Sequence, residues 1–125
     1  MKSKMNKPFK NKNFFIALKN SINGLIVAIK TESNIKIDII ATILVIIAAI
    51  IFKLNYIELL VIVLTIGLVI SAEMFNTAIE NTVDLITEEY NEKAKIIKDI
   101  SAGAVFVTSI IALVVAFIIF INKII

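Results

Sequence analysis

Long apolar runs separated by short polar segments dominate the chain after residue 36, at about 37–52, 57–75 and 100–121. A helix rises about 1.5 Å per residue, so about 20 apolar residues match a hydrocarbon core of roughly 30 Å. The first run is short by this standard and draws on its flanks. The pattern predicts three transmembrane helices, at about 36–52, 57–80 and 99–121.

A weaker apolar pattern precedes these runs. Between residues 13 and 31, apolar residues gather on one helical face, while Lys19, Asn23 and Lys30 lie on another. A basic amphipathic helix of this kind lies in the membrane interface more often than it spans the bilayer. Residues 1–12 carry five lysines and the only proline, which is typical of a flexible basic tail. The expected architecture is all-α: a tail, then one integral membrane domain over residues 13–125 with an N-terminal amphipathic surface helix and three transmembrane helices.

Composition narrows the chemistry of any site. The chain is 59% hydrophobic, which suits a bilayer better than water. It has no cysteine and no histidine, so thiolate metal sites, disulfides and the usual general base are excluded. Acid–base or metal chemistry must therefore use Asp, Glu, Asn and Lys, the donor set of hard cations such as Mg²⁺.

Lysine distribution predicts the orientation in the membrane. Eight lysines precede the first apolar run, and Lys93, Lys95 and Lys98 lie between the second and third. Only Lys53 and Lys123 fall on the other side. The positive-inside rule places the N-terminus and the 80–99 segment in the cytoplasm and the C-terminus outside.

An acidic stripe ends the second apolar run. Glu73, Asn76, Glu80 and Asp84 have the spacing i, i+3, i+7 and i+11, which places them on one face of a helix. Glu73 lies about 24 Å along that helix, where hydrocarbon gives way to headgroups. An ionisable residue at this depth is costly unless it faces a partner, a metal or a water-filled site.

Two interpretations of the carboxylates remain open at this point. Glu73 and Glu80 could mark the helix end and form ion pairs with Lys30, Lys36 or Lys98. Glu32, just before the first span, could be a solvated turn residue. Alternatively, its position at the membrane level of Glu80 would allow the two carboxylates to share a Mg²⁺ ion that bridges phosphate oxygens.

The start of the third span has a structural and a functional reading as well. Asp99 could be its N-cap and Lys98 a positive-inside flank, or Lys98 and the helix N-terminus could receive a phosphate. No GxxxxGK[ST] motif is present, which excludes a P-loop.

Small residues recur every four positions in the third span, a spacing that permits close helix approach. Three helices also enclose little interior, so an oligomer is expected. The stripe consists of Ala104, Thr108, Ala112 and Ala116.

Two motifs make the pattern specific. Residues 73–84 read ExxNxAIExxVD, and residues 98–105 read KDxxAGAV. Gly24, Glu32 and Asn34 precede them in a G…ExN segment. Over about residues 14–121 the chain resembles the prokaryotic diacylglycerol kinase family, which includes the undecaprenol kinases.

The resemblance implies a homotrimer of three-span subunits in the bacterial plasma membrane that transfers the γ-phosphate of MgATP to the hydroxyl of a membrane lipid. By position, Glu73 would be the general base, and Glu32 and Glu80 would hold Mg²⁺. The residues implied to position nucleotide and phosphates are Asn76, Glu89, Tyr90, Asn91, Lys98 and Asp99. Further candidate site residues in the same segments are Asn20, Gly24, Asn34, Asp84 and Ala102.

The segments at residues 32–34 and 101–104 look closer to the undecaprenol kinase branch, so undecaprenol is favoured as acceptor and diacylglycerol is the alternative. A rival from another class is a small oligomeric transporter in which Glu73 couples a proton or cation. Such a carboxylate belongs near mid-membrane with access from both sides. Carboxylates clustered at one end argue against the transporter, and an intact stripe argues against an inactive relative. No nucleic-acid partner is expected.

Overall fold

A computed structural model describes residues 13–125, and every regular element in that range is an α-helix. The predicted flexible tail at residues 1–12 lies outside the described residues. The all-α prediction is therefore confirmed for residues 13–125. The four helices are Phe14–Thr31 (α1), Ser33–Ile51 (α2), Tyr56–Ile86 (α3) and Glu92–Ile124 (α4).

All four helices are long and apolar enough to cross a membrane by length and composition, with α1 the least apolar. Most of their large apolar side chains are exposed, as expected where lipid is the solvent. Length and composition do not assign α1 to the interface or the interior of the bilayer, so its surface location stays a prediction.

A one-residue break joins α1 to α2. Glu32 has extended backbone angles (φ −111°, ψ 116°) and ends α1, while its own N–H still donates to the carbonyl of Ala28. The ammonium of Lys36 donates to the carbonyl of Lys30 at 3.0 Å, which satisfies an acceptor that the end of α1 leaves open. Fully buried Ile35 anchors the start of α2. Glu32 is thus held at a fixed bend.

The end of the bundle where α2 meets α3 is closed by a tight turn and an ion pair. Lys53 adopts a left-handed φ of 55°, and Asn55 forms a capping box with Glu58 at the start of α3. Glu58 also accepts a salt bridge of 3.0 Å from Lys123 at the end of α4. This end therefore fixes the register of α3 against α4.

At the opposite end, α3 and α4 both extend past the predicted spans. The 31 residues of α3 reach about 46 Å, well beyond a bilayer core of roughly 30 Å. Asn91 caps α4 by accepting from the N–H of Ala94, so the helix begins seven residues before Asp99. The prediction that Asp99 is an N-cap is wrong, because hydropathy marks only the apolar part of this helix.

Most of the small-residue stripe of α4 faces the other helices of the subunit, although Ala104 is exposed. Thr108 is buried, and Ala112 and Ala116 line a cavity of about 350 Å³ between α2, α3 and α4. Small side chains here leave space between the helices of one chain.

Candidate active site

The acidic stripe lies on one continuous helix, as its spacing predicts. Glu73 and Asn76 are buried, with 7% and 8% of their surfaces exposed. Glu80 is half-buried and Asp84 is exposed. The stripe therefore runs from the packed interior of the bundle out to the end of α3 that projects beyond the apolar segment.

Packing brings the bend between α1 and α2 to the buried end of the stripe. The carboxylates of Asp38, Glu32 and Glu80 are all close enough to Glu73 to act on its charge. These residues come from three places in the sequence: the bend, α2 and the next two turns of α3. Glu73 and Glu80 form no salt bridge with a lysine among residues 13–125, although Glu80 is close enough to Lys98 to act on its charge.

The donor set of this region fits a hard divalent cation. Carboxylate and amide oxygens are available there as ligands for such a cation. The clustered carboxylates also repel one another unless a positive charge lies between them. The amide oxygen of Asn76 is buried without a hydrogen-bond partner among the described residues. Within residues 13–125, no three carboxylates converge to hold a metal by themselves. A cation bound by two carboxylates and completed by phosphates and water needs no such triad.

A second feature is a cleft of about 380 Å³ where the loop at residues 87–91 joins α3 to α4. It brings together most of the predicted nucleotide-binding residues. Those that line it are Glu89, Tyr90, Asn91, Lys98 and Asp99, and Asp84, a further candidate site residue, lines it as well.

Two ion pairs cross or border this cleft. Lys98 donates to Asp84 at 2.7 Å, linking α4 to α3, and Lys95 donates to Asp99 at 2.6 Å along α4. The hydrogen bond to Asp84 raises the pKa of Lys98 above its ordinary value, so this ammonium is charged at neutral pH. The cleft thus offers two oriented cations beside several carboxylates.

Other predicted residues lie elsewhere. Asn20 and Gly24 are on α1, Asn34 is in the first turn of α2, and Ala102 is exposed on α4. None of the four lines the cleft. A β-carbon at Gly24 would meet nothing within 4 Å, so no close contact inside the described subunit requires glycine there. Asn76 lines a separate crevice with Ser101 between α3 and α4.

The structure adds two residues that were not predicted as part of the site. Asp38 acts on Glu73 and buries one carboxylate oxygen without a hydrogen-bond partner among residues 13–125. Lys95 lies in the cleft, paired with Asp99. A charged residue inside a predicted span was a signal for Asp38. The sequence contains no signal for Lys95, because the three lysines of this short segment cannot be told apart until the start of α4 is known.

Comparison with known proteins shows which family and which relatives the chain is similar to. The family model described as prokaryotic diacylglycerol kinase matches residues 19–120. An undecaprenol kinase of Bacillus subtilis (strain 168) is 38% identical over 110 residues, 88% of this chain and 89% of that protein. A diacylglycerol kinase of Synechocystis sp. is also 38% identical, over 104 residues, 82% of this chain and 59% of that protein.

The helical fold and these relatives define an integral membrane lipid kinase. The rival transporter class is thereby set aside. The chain belongs to the prokaryotic diacylglycerol kinase family, which the motifs at residues 73–84 and 98–105 indicate.

Proposed function

We propose that this protein transfers the γ-phosphate of MgATP to the hydroxyl of undecaprenol, on the cytoplasmic side of the bacterial plasma membrane. The observation that carries the proposal is the continuous stripe on α3. It joins a buried carboxylate, Glu73, to a cation-bearing cleft at the projecting end of the helix. A lipid alcohol and a soluble nucleotide can meet only along such a path, from apolar depth to water.

The nucleotide side of the proposal rests on the cleft between α3 and α4. Lys98 supplies a charged ammonium there, and Tyr90 exposes its ring beside it. Lysine counting supports a cytoplasmic location for this end of the bundle, where ATP is available. Glu89, Asn91 and Asp99 would complete the nucleotide contacts.

The acceptor side rests on Glu73. In the proposed step, its carboxylate takes the proton of the lipid hydroxyl, and the hydroxyl oxygen forms a bond to the γ-phosphorus. The bond from that phosphorus to the β–γ bridging oxygen breaks, and ADP leaves. Phosphoryl transfer needs mainly positioning and charge neutralisation, so few protein groups suffice.

Glu32 and Glu80 would hold the magnesium ion, with the buried amide oxygen of Asn76 as a neighbouring donor. When bound, Mg²⁺ would neutralise phosphate charge during transfer. The fixed bend at Glu32 supports this role, because it holds a carboxylate from a different part of the chain near Glu73.

The choice of undecaprenol rests on the cavity between α2, α3 and α4 and on the relatives. The cavity begins at Ile70, one turn from Glu73 toward the hydrocarbon, and its walls are mostly apolar. Its polar lining residues are Asp38, Thr42, Thr65 and Ser109. The two threonine hydroxyls donate to carbonyls of their own helices. The isoprenoid has no polar group beneath its hydroxyl and suits this mostly apolar wall, whereas the ester groups of diacylglycerol would be desolvated along most of it. The match to the undecaprenol kinase also covers 89% of that relative, against 59% for the diacylglycerol kinase.

The homotrimer and the surface position of α1 are also parts of this proposal. Each helix of the described subunit leaves a broad apolar surface exposed, and few residues are buried by the subunit alone. Assembly of three copies would enclose more of the helical surface. The exposed Phe14 and Phe15 would anchor α1 at the interface.

We expect undecaprenol to be phosphorylated with a kcat/KM about tenfold higher than dioleoylglycerol, a difference of about 1.4 kcal/mol. The measurement uses purified protein in mixed micelles, labelled ATP and Mg²⁺, with each lipid at the same mole fraction. Equal turnover of both would contradict the acceptor assignment and leave the kinase intact. Phosphorylation of neither would contradict the proposed activity.

A further inference from the structure

The cleft at the α3–α4 loop contains a cation that the stripe and the two family motifs do not account for. Lys95 lies one helical turn before Lys98, and both side chains line the same cleft of about 380 Å³. Residues at i and i+3 on a helix are neighbours, with roughly 5–6 Å between their β-carbons. Two ammonium groups therefore border one space large enough for a small ligand.

The charges that line the cleft restrict the ligands that it can bind. The cleft is also lined by Asp84, Glu88, Glu89 and Asp99, so carboxylates outnumber ammonium groups. A polyanionic nucleotide would be repelled unless cations face it directly. Lys98 is one such cation, and Lys95 is the other lysine among the residues lining the cleft.

Helix stability does not explain why Lys95 pairs with Asp99. The side chains of Lys95 and Asp99 are 58% and 62% exposed, and exposed i, i+4 pairs contribute little to stability. Neighbouring like charges such as Lys95 and Lys98 are themselves unfavourable on a helix. Each lysine is instead held by its own aspartate, Asp99 for Lys95 and Asp84 for Lys98.

We propose that Lys95 is a second phosphate-binding cation of the cleft, oriented by Asp99 and acting together with Lys98 on the triphosphate of the nucleotide. A lysine ammonium has three N–H donors, and the bond to Asp99 uses one of them. The remaining donors can reach phosphate oxygens without breaking the ion pair. The bond to Asp99 also raises the pKa of Lys95, which keeps the ammonium charged.

This inference rests on the proposed use of ATP, and its test separates the two. Lys93 provides the matched control: it lies two residues away on the same helix and lines a neighbouring depression that borders the cleft at Asn91 and Ala94, but it does not line the cleft itself. Lys95→Gln and Lys93→Gln remove the same charge from the same segment. Only the first removes a donor from the cleft.

The experiment measures ATP dependence of lipid phosphorylation and the Kd of a fluorescent ATP analogue, using full-length protein in nanodiscs. We expect Lys95→Gln to raise KM for ATP and the Kd about tenfold, the size of one charge-assisted hydrogen bond. Its kcat should change less than about twofold, since Lys95 is not assigned to the transferred group. Lys95→Arg should restore most of the affinity, and Lys93→Gln should match wild type.

Three results would overturn the assignment of Lys95 and leave the proposed function intact. Wild-type affinity in Lys95→Gln would show that the cleft lysine does not bind phosphate. Equal weakening in Lys95→Gln and Lys93→Gln would show a general charge effect. A change in thermal stability in Lys95→Gln that persists in Lys95→Arg would show a structural role for Lys95. Wild-type protein that neither binds the nucleotide nor phosphorylates lipid would instead refute the proposed function, and the assignment of Lys95 with it.

Discussion

Glu73→Gln is expected to lower kcat for lipid phosphorylation by about 10³-fold, within the range for loss of a general base. Glutamine keeps the size of the side chain and its place on α3 but cannot accept the hydroxyl proton. Folding should survive, because the change removes one negative charge from a region where Asp38, Glu32 and Glu80 act on Glu73. The measurement is labelled phosphate transfer at saturating ATP and lipid, with thermal unfolding and oligomer size recorded on the same samples.

Glu58→Gln is the matched control for this prediction. Glu58 is on the same helix and is also mostly shielded, but it lies at the opposite end, in an ion pair with Lys123. We expect Glu58→Gln to lose a little thermal stability and to keep its kcat. Turnover in Glu73→Gln equal to wild type would contradict the base assignment, and a kcat lost equally in both variants would point to a general effect on the bundle.

Glu32→Gln and Glu80→Gln are each expected to raise the Mg²⁺ concentration needed for half-maximal activity by at least about tenfold. An amide oxygen is a weaker ligand for a hard cation than a carboxylate and carries no countercharge. The effect should be larger in the double variant, because the two carboxylates are proposed to share one ion. Activity measured against free Mg²⁺ at constant ATP gives this shift.

Binding of Mn²⁺, followed by its electron paramagnetic resonance signal in the presence of a non-hydrolysable nucleotide, gives a readout that does not depend on turnover. Glu92→Gln serves as control, since Glu92 is an exposed carboxylate in the first turn of α4 outside the residues lining the cleft. Unchanged Mn²⁺ affinity in both Glu32→Gln and Glu80→Gln would contradict their assignment as metal ligands.

The sequence predicted the helices well where hydrophobicity decides them. The prediction of a helix at 13–31 agrees with Phe14–Thr31, and the first predicted span at 36–52 overlaps Ser33–Ile51. It failed where helices continue past the apolar runs. Residues 85–86 and 92–98 lie beyond both the predicted spans and the acidic stripe, yet they are helical, and the burial of Val83 shows that α3 stays packed near its end. Hydropathy marks the apolar part of a helix that suits the bilayer and does not mark where the helix ends.

The candidate site likewise has a part that the sequence predicts and a part that it does not. The stripe from Glu73 to Asp84 follows from helical periodicity alone, so its face could be predicted. The approach of Glu32 and Asp38 to Glu73 depends on the bend between α1 and α2 and on tertiary packing, which no local pattern encodes. The pairing of Lys98 with Asp84 likewise joins residues fourteen positions apart across a loop.

The central claim is that the carboxylate end of α3 uses ATP from the cytoplasm to phosphorylate a lipid alcohol. Membrane vesicles of both orientations, prepared from cells that express the protein, test it most directly when γ-labelled ATP and Mg²⁺ are added from outside. Label should enter the lipid fraction in inside-out vesicles and stay out of it in sealed right-side-out vesicles. Labelling of lipid in right-side-out vesicles, dependent on Glu73, would contradict the account.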